Sequence, residues 1–281
     1  MSEPMRTDDW AGEMGERWLA NLDRFESMME PVGEALLAHA AFEPGERVLD
    51  IGCGGGGTSF AIGGRVALDG VVLGLDVSPV LVAEARRRAR AAGLTQVDFR
   101  LGDASVDVPP GAPFDRLFSR FGVMFFVDPP AAFGHLHSLL KPGGRFDFAC
   151  WTAPQDNPWM GALADVVRRH VELPPPPAEG PGPFSLADAV HLSRLLEGAG
   201  FSVTQCQRWQ GPQWLGGKGA DPKAAAEFCL QSMSFGRVVK ALAPPLRARI
   251  EADIVAHLAA AAQPGGIRMD ASAWLVTARR P

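Results

Sequence analysis

The chain contains no tyrosine, so no phenol can serve as an acid, a base or a hydrogen-bonding lid. The 16 phenylalanines and 7 tryptophans must therefore form any aromatic wall around a bound molecule. Basic residues are not in excess: the net charge is −5, which argues against general binding to nucleic acid. No apolar run approaches the roughly 18–20 residues that cross a bilayer, so we expect no membrane span.

Cysteine is also scarce. The four cysteines are far apart and match no zinc or disulfide spacing: Cys53, Cys150, Cys206 and Cys229. We expect them to be reduced and the protein to hold no metal ion. The first ten residues are acidic and polar and lack the basic and apolar regions of a secretory signal, which predicts a cytoplasmic protein.

Strands and helices alternate from Gly45 onward, which predicts a mostly parallel sheet with helices on both faces. A cap residue followed by proline marks two helix starts, at Ser78-Pro79 and at Asp128-Pro129. Seven strands are predicted, at 47–51, 71–75, 97–101, 115–118, 145–151, 201–207 and 271–278.

The chain divides into a cover and a main domain. Residues 1–43 are amphipathic and predict an N-terminal helical cover, in which Pro31 opens a second helix. Residues 44–281 predict the main domain, interrupted at about 153–185 and 211–268. We expect these two interruptions to be helical cap insertions that roof the site.

A run of glycines follows the first predicted strand. Glycine lets backbone come close to a ligand, because no Cβ intervenes. The spacing Gly52-x-Gly54-x-x-Gly57 fits the dinucleotide-binding fingerprint, whereas Gly52-x-Gly54-x-Gly56 fits a methyltransferase loop. The glycines by themselves do not distinguish the two cofactors.

Three carboxylates at successive strand ends favour the second interpretation. Asp50, just ahead of the loop, would face the pyrophosphate of a dinucleotide but suits a cofactor that carries an ammonium and a sulfonium. Asp76 ends the second strand, where a carboxylate accepts from ribose hydroxyls, and fits either cofactor. Asp103 follows the third strand. Together the three outline a ligand with hydroxyls and an adenine amine.

Five motifs carry a family resemblance: Val-Leu-Asp-Ile-Gly-Cys-Gly-x-Gly (48–56), Leu-Asp-Val-Ser (75–78), Gly-Asp-Ala (102–104), the stretch 114–126 and Leu-Lys-Pro-Gly-Gly (140–144). The chain resembles the class I S-adenosylmethionine-dependent methyltransferases, and within them the small-molecule branch that includes the ubiquinone/menaquinone-type enzymes. The resemblance implies a Rossmann-like, seven-stranded, mostly parallel sheet with a final antiparallel strand. It also implies S-adenosylmethionine as cofactor and S-adenosylhomocysteine as product.

The resemblance assigns the methionine end of the cofactor to the ends of the first and fourth strands. Asp50 would organise the loop and meet the ammonium. Three loop residues would pass beneath the methionine and ribose: Gly52, Cys53 and Gly54. Ser119 and Arg120 would present backbone carbonyls to the ammonium, and Phe121 would face the transferred methyl group or the substrate.

The same resemblance assigns the nucleoside end to the second and third strands. Asp76 would bind the ribose hydroxyls, and Val77 would lie against the adenine. Asp103 would accept a hydrogen bond from the adenine amine, with Ala104 donating through its backbone.

Methyl transfer is an in-line displacement, so the protein must chiefly align the reactants and exclude water. A general base is needed only when the acceptor has a proton to lose, and His135 and His170 are the candidates for that role. Trp18, Trp151 and Trp159 are candidates for the wall of an acceptor pocket.

The interpretation that we favour is a methyltransferase, monomeric or homodimeric, that acts on an oxygen, nitrogen or carbon atom of a small molecule, as in secondary metabolism. Two alternatives stay open at this point. One is an NAD(P)-dependent oxidoreductase, and the other is a non-catalytic cofactor-binding protein on the same fold.

Overall fold

Eight strands of the computed structural model, which describes residues 7–174 and 180–281, join in one sheet. Their bounds are β1 (Arg47–Ile51), β2 (Val71–Asp76), β3 (Val97–Leu101), β4 (Phe114–Arg120), β5 (Leu140–Trp151), β6 (Ser202–Leu215), β7 (Ala262–Gln263) and β8 (Gly266–Arg279). The order is β3-β2-β1-β4-β5-β8-β6, with β7 paired to β8. Strands β1 to β5 pair in parallel, and β8 lies antiparallel between β5 and β6. The predicted fold class is confirmed.

Helices flank this sheet. In the described part of the chain they are α1 (Thr7–Ala11), α2 (Glu13–Ala20), α3 (Leu22–Ala40), α4 (Gly57–Val66), α5 (Pro79–Ala91), α6 (Pro129–Ser138), α7 (Pro158–Arg168), α8 (Ala189–Gly198), α9 (Pro222–Ser232), α10 (Phe235–Lys240) and α11 (Pro244–Ala259). The predicted starts of α5 and α6 are confirmed. The Asp128 carboxylate caps α6 by accepting from Ala131 N, but the Ser78 hydroxyl makes no capping bond in α5.

The sheet reverses its order of strand addition at β1, which lies between β2 and β4. At such a switch point the connections leave in opposite directions, and a crevice opens at the carboxyl ends of the two neighbouring strands. The strands there are fully buried, with Leu49 and Leu117 both at 0% exposure. The fold therefore places the glycine loop after β1 at the mouth of a crevice that has a rigid floor.

One helix of the cover is longer than predicted. Pro31 was expected to open a new helix, and this is wrong, because Pro31 lies inside α3. An interior proline costs about 3 kcal/mol of helix stability. Burial of Met28, Met29, Val32 and Leu36 against the rest of the core, at roughly 1.5–3 kcal/mol each, outweighs that cost.

The strands β6 and β8 also extend beyond their predicted bounds, to Leu215 and from Gly266. Proline is tolerated at a sheet edge, so Pro212 does not end the edge strand β6. The range 211–268 thus includes the end of β6 and the start of β8, and its helical part lies between these strands. It packs against the helix of the first insertion, because α11 contacts both α9 and α7. Residues 175–179 of the first insertion lie outside the described residues.

Candidate cofactor and acceptor site

Backbone torsions decide which glycines of the loop form the turn. Gly52, Gly54 and Gly56 have φ values of +66°, +55° and +88°, in the left-handed region that favours glycine. Gly57 is already the first residue of α4. The loop therefore has the Gly-x-Gly-x-Gly spacing of the methyltransferases at residues 52–56.

Several amides of this loop already have partners. The amides of Gly52 and Cys53 donate to the Leu75 carbonyl at 2.8 and 3.2 Å, and the Gly54 amide donates to Asp76 Oδ2 at 2.8 Å. A dinucleotide loop needs such amides free to bind the pyrophosphate. Here these three amides are already bound by a carbonyl and a carboxylate of β2. The nicotinamide-dependent alternative therefore receives no support.

Asp50 lies beneath the loop and is completely buried. Its Oδ2 accepts from the hydroxyls of Thr58 at 2.7 Å and Ser59 at 2.6 Å, whereas its Oδ1 has no partner among the residues that the structure describes. Burial raises the pKa of Asp50 to about 6, against the opposing effects of the two hydroxyls and Arg120. A buried carboxylate oxygen without a partner fits a ligand that brings an ammonium group, as S-adenosylmethionine does.

The two carboxylates expected at the nucleoside end lie at adjacent strand ends, since Asp76 of β2 pairs with Leu101 of β3. Burial raises the pKa of Asp76, whose Oδ1 accepts from the Ser78 amide at 2.9 Å. Asp103 Oδ1 accepts from the Ser105 amide and hydroxyl at 2.8 and 2.6 Å, which fixes the turn after β3. The structure thus places these two residues at neighbouring strand ends, and their contacts with a nucleoside stay predictions.

Val77 and Ala104 follow those two carboxylates directly. Ala104 is buried, and Val77 is partly exposed. The expected contacts of both residues with adenine stay predictions.

A second glycine contact joins the ends of β1 and β4. A Cβ on Gly52 would lie 3.0 Å from Gly122 Cα, and a Cβ on Gly122 would lie 2.8 Å from the Ile51 carbonyl oxygen. The Ser119 hydroxyl donates to that carbonyl at 2.8 Å and accepts from the Gly122 amide at 3.2 Å. Ser119 therefore ties the two strand ends through its side chain. Sequence reasoning missed Gly122, whose only signal was a glycine just after a predicted strand.

The cover packs directly on the glycine loop through a stripe of side chains four residues apart, at Trp18, Leu22 and Glu26. Cβ atoms built on the loop would lie 3.9 Å from Trp18 Nε1 at Gly54, 2.5 Å from Leu22 Cδ2 at Gly55 and 2.8 Å from Glu26 Oε1 at Gly57. The run of four glycines thus serves two needs. Alternate glycines adopt the turn torsions, and the others admit the cover.

Arg88 of α5 locks the cover to the loop. Its Nη1 donates to Glu26 Oε1 at 2.8 Å and to the Gly55 carbonyl at 2.9 Å, and its Nη2 donates to Glu26 Oε2 at 2.9 Å. Both side chains are partly buried, and the pairing is bidentate, so this ion pair is stronger than an ordinary surface pair. No motif of the sequence singles out Arg88 or Glu26.

Trp18 belongs to an aromatic cluster above the loop. Its ring stacks on Phe25 with centroids 3.8 Å apart, and it meets the edge of Trp10 at 5.6 Å. Trp10 in turn contacts Phe125, which follows the end of β4, at 5.0 Å. This cluster extends from the N-terminal helices to the residues after β4, and the role of Trp18 in the wall of an acceptor pocket stays a prediction.

A second cluster contains the other predicted wall residues. Phe121, with a φ of +68°, stacks on Trp151 with centroids 3.9 Å apart, and Trp159 meets the edge of Trp151 at 5.4 Å. All three side chains are buried. The structure therefore brings Trp151 and Trp159 to the end of β4, but as a packed cluster and not as an open wall.

The two candidate bases are engaged elsewhere. His135 Nε2 bonds the Asp107 carbonyl oxygen at 2.8 Å, and His170 Nε2 lies 2.7 Å from Asp253 Oδ2 of α11. Among the residues that the structure describes, neither ring hydrogen-bonds to the glycine loop. His135 steadies the turn after β3, and His170 joins the two insertions.

Two structural findings concern other classes of site. Within 7–174 and 180–281, no three metal-ligating side chains lie close enough together to hold a metal ion. In the same ranges no helix has both the length and the apolarity needed to cross a membrane.

Three features define a Rossmann-like methyltransferase domain. They are a Gly-x-Gly-x-Gly loop at the switch point, a buried carboxylate with a free oxygen below that loop, and an antiparallel strand between β5 and β6. Comparison with known families agrees, because residues 48–144 match the methyltransferase domain family. That match agrees with the resemblance of the chain to the class I S-adenosylmethionine-dependent methyltransferases of the small-molecule branch. The resemblance implies S-adenosylmethionine as the cofactor.

Two curated relatives are similar over part of the chain. Aklanonic acid methyltransferase DauC of Streptomyces sp. (strain C5) is 35% identical over 42% of this chain and 54% of its own length. Nocamycin O-methyltransferase of Saccharothrix syringae is 31% identical over 61% of this chain and 64% of its own length. The chain thus spans about half to two thirds of the length of these relatives.

The fold is also similar to that of a solved structure, the YcgJ protein of Bacillus subtilis. The TM-score is 0.58, with 19% identity over 89% of this chain and 98% of the other. At that identity the likeness concerns the fold.

Proposed function

We propose that this chain transfers the methyl group of S-adenosylmethionine to a nucleophilic oxygen, nitrogen or carbon atom of a small molecule. The observation that carries the proposal is the free, buried Oδ1 of Asp50 beneath a loop of Gly-x-Gly-x-Gly torsions. Relatives named for the methylation of aklanonic acid and of nocamycin support a small-molecule acceptor.

The bound cofactor supplies an activated methyl group on a sulfonium, so the chain has to align that group with the acceptor and exclude water. The glycine loop and the Ser119 tie fix the ends of β1 and β4 relative to each other. The Arg88–Glu26 pair holds the cover over the loop. Phe121, held by its stack on Trp151, is the side chain that would lie beside the transferred methyl.

The acceptor itself determines whether a base is needed. Because His135 and His170 are engaged in other contacts, we propose an acceptor whose reacting atom carries no proton or releases it to solvent. Acceptors of this kind include a carboxylate and an acidic phenol or enol.

The assignment of single residues to the cofactor is part of this proposal. It comprises the residues around the crevice, which are Asp50, Gly52, Cys53, Gly54, Asp76, Val77, Asp103, Ala104, Ser119, Arg120 and Phe121. A cover at 1–43, a main domain at 44–281, a monomeric or homodimeric state and a cytoplasmic location stay predictions.

Two measurements test the proposed function. Thermal shift assays with S-adenosylhomocysteine and with NADH should show stabilisation by the first compound only. Incubation with methyl-labelled S-adenosylmethionine and a small-molecule extract should then move label into an acceptor. Stabilisation by NADH alone would contradict the proposal. Cofactor binding without any label transfer would favour the non-catalytic alternative.

A further inference from the structure

Two arginines point from the same face of β4, at positions 116 and 120, and their surroundings differ completely. Arg116 donates to Asp147 Oδ2 at 3.0 Å and to the Glu46 carboxylate at 2.5 Å, and it lies over the ring of Phe42 at 5.0 Å. Arg120 makes no hydrogen bond or ion pair to any residue in the described part of the chain. The same strand thus carries one guanidinium that is paired with two carboxylates and one that has no hydrogen bond or ion pair among the described residues.

Arg120 ends β4 in the space between the sheet and α3. Its Nη1 lies 3.1 Å from the position of a Cβ on Gly33, so a larger residue in α3 would displace the guanidinium. The side chain is partly buried, and burial lowers its pKa while Glu26 and Asp50 oppose this effect. A half-buried cation is costly unless an anion pairs with it.

The two neighbouring carboxylates already have other partners. Glu26 is bound by Arg88 in a bidentate pair, and Asp50 accepts two hydroxyls through Oδ2. What is left over is a pair of complementary groups at adjacent strand ends: the free Oδ1 of Asp50 on β1 and the free guanidinium of Arg120 on β4. A group with an ammonium and a carboxylate on one carbon would satisfy both.

We propose that the Arg120 guanidinium binds a carboxylate in the crevice. The proposal rests on the proposed function and changes the role of Arg120 from a backbone contact to a side-chain contact. A guanidinium presents two parallel N–H donors, which match the two oxygens of a carboxylate. Two molecules could supply that carboxylate: the methionine end of the cofactor, whose ammonium would then meet Asp50, or an acidic acceptor.

The first arm of the test concerns the cofactor. Calorimetric titration would compare S-adenosylhomocysteine with its decarboxylated analogue, which keeps the amine, in the wild-type chain, Arg120→Met and Arg120→Lys. We expect a preference for the carboxylated ligand of roughly 10- to 100-fold in the wild type, most of it lost in R120M and part of it kept in R120K. Each preference is a ratio within one variant, so a partly unfolded sample does not alter it.

A control ligand distinguishes a local effect from a structural one. 5′-Methylthioadenosine lacks both the amine and the carboxylate, so its affinity should be the same in the wild type and in R120M. An equal loss of affinity for all three nucleosides in R120M would overturn the proposal, because Arg120 would then only support the fold of the site.

The second arm concerns the acceptor, with 2-naphthoate and 2-naphthamide as probes in the presence of S-adenosylhomocysteine. If R120M leaves the nucleoside preference intact but removes a preference for naphthoate over naphthamide, the carboxylate belongs to the acceptor. If R120M changes neither preference, the proposal is wrong. Failure of the proposed function looks different: the wild-type chain would bind none of the nucleosides, or would bind them without moving a methyl group.

Discussion

Asp50→Asn removes the charge beneath the glycine loop and little else. The asparagine oxygen can keep the hydrogen bonds from Thr58 and Ser59, which lie 2.7 and 2.6 Å from Asp50 Oδ2. The Oδ1 position loses its negative charge, and this is the atom for which the described residues offer no partner. The substitution therefore tests whether that charge binds the ammonium of the cofactor.

The size of the effect follows from the pKa of Asp50, which burial raises to about 6. An ammonium binds well only to the ionised carboxylate, so affinity should fall as the pH drops through 6. One pH unit below the pKa only about a tenth of the protein is ionised, which predicts roughly tenfold weaker binding of S-adenosylhomocysteine at pH 5 than at pH 8. D50N should bind at least tenfold more weakly at pH 8 and show no such pH dependence.

The same pKa has a consequence for the free protein, and its sign is opposite to the usual one for a carboxylate. Because the folded pKa lies above the unfolded value of 3.8, the folded state holds the proton more tightly. The contribution of Asp50 to stability is thus greatest below pH 4 and falls by about 3 kcal/mol as the pH rises from 4 to 6. D50N should lack this loss in chemical denaturation measured across that window.

The binding assay is calorimetry at pH 5, 6, 7 and 8 with S-adenosylhomocysteine and, as a control, 5′-methylthioadenosine. Burial also raises the pKa of Asp76, but the ribose that this residue would bind is common to both ligands. The ratio of the two affinities therefore isolates Asp50. The reasoning is refuted if this ratio is the same at all four pH values, or if it varies in D50N as it does in the wild type.

Three further predictions concern stability and the loop. Gly52→Ala should destabilise the chain and abolish S-adenosylhomocysteine binding in titration, because φ is +66° and the new Cβ would lie 3.0 Å from Gly122 Cα. Gly64→Ala is the matched control: nothing lies within 4 Å of its Cβ position, so it should raise the free energy of unfolding by up to about 1 kcal/mol. Arg116→Met should cost about 3–5 kcal/mol in urea denaturation, but Arg120→Met should cost little, since only Arg116 has buried ion-pair partners. Gln213→Leu should raise the melting temperature by a few degrees, because both amide atoms are buried without a partner in the described residues.

Opposite results would contradict each prediction separately. Unchanged binding in G52A would mean that the loop can reach its torsions with a side chain present. Equal destabilisation by R116M and R120M would mean that Arg120 has a structural partner. A lower melting temperature for Q213L would show that an ordered water or another group satisfies the amide.

Much of the fold was predictable because its signals are local. Apolar strands alternate with helices along the chain, and the prolines that begin α5 and α6, Pro79 and Pro129, act within one turn. Asp50, Asp76 and Asp103 could be grouped because parallel strands bring their carboxyl ends to one edge. Pro31 and Pro212 misled the prediction, since burial of α3 and the edge position of β6 override what proline does locally.

The glycine run shows where local reasoning stops. Two spacings fit the sequence equally well, and they are distinguished by the left-handed torsion of Gly56 and by the position of Gly57 in the first turn of α4. Gly55 and Gly57 are needed for contacts outside the motif. A Cβ at either position would lie within 3 Å of a side chain of α3, Leu22 or Glu26. A glycine that is required by contact with a distant segment of the chain has no local sequence pattern that predicts it.

The two arginines of β4 show most clearly what could not be predicted, because no sequence pattern indicates that their surroundings differ. Each follows the strand alternation, and each is half or fully buried. Arg116 meets Asp147 and Glu46, which approach from other elements, so its charge is balanced inside the protein. Arg120 lies against Gly33 instead, and no carboxylate in the described chain forms an ion pair with it, although Glu26 and Asp50 act on it from a greater distance. Arg116 is therefore paired within the protein, and we expect Arg120 to pair with an anionic group of a bound ligand.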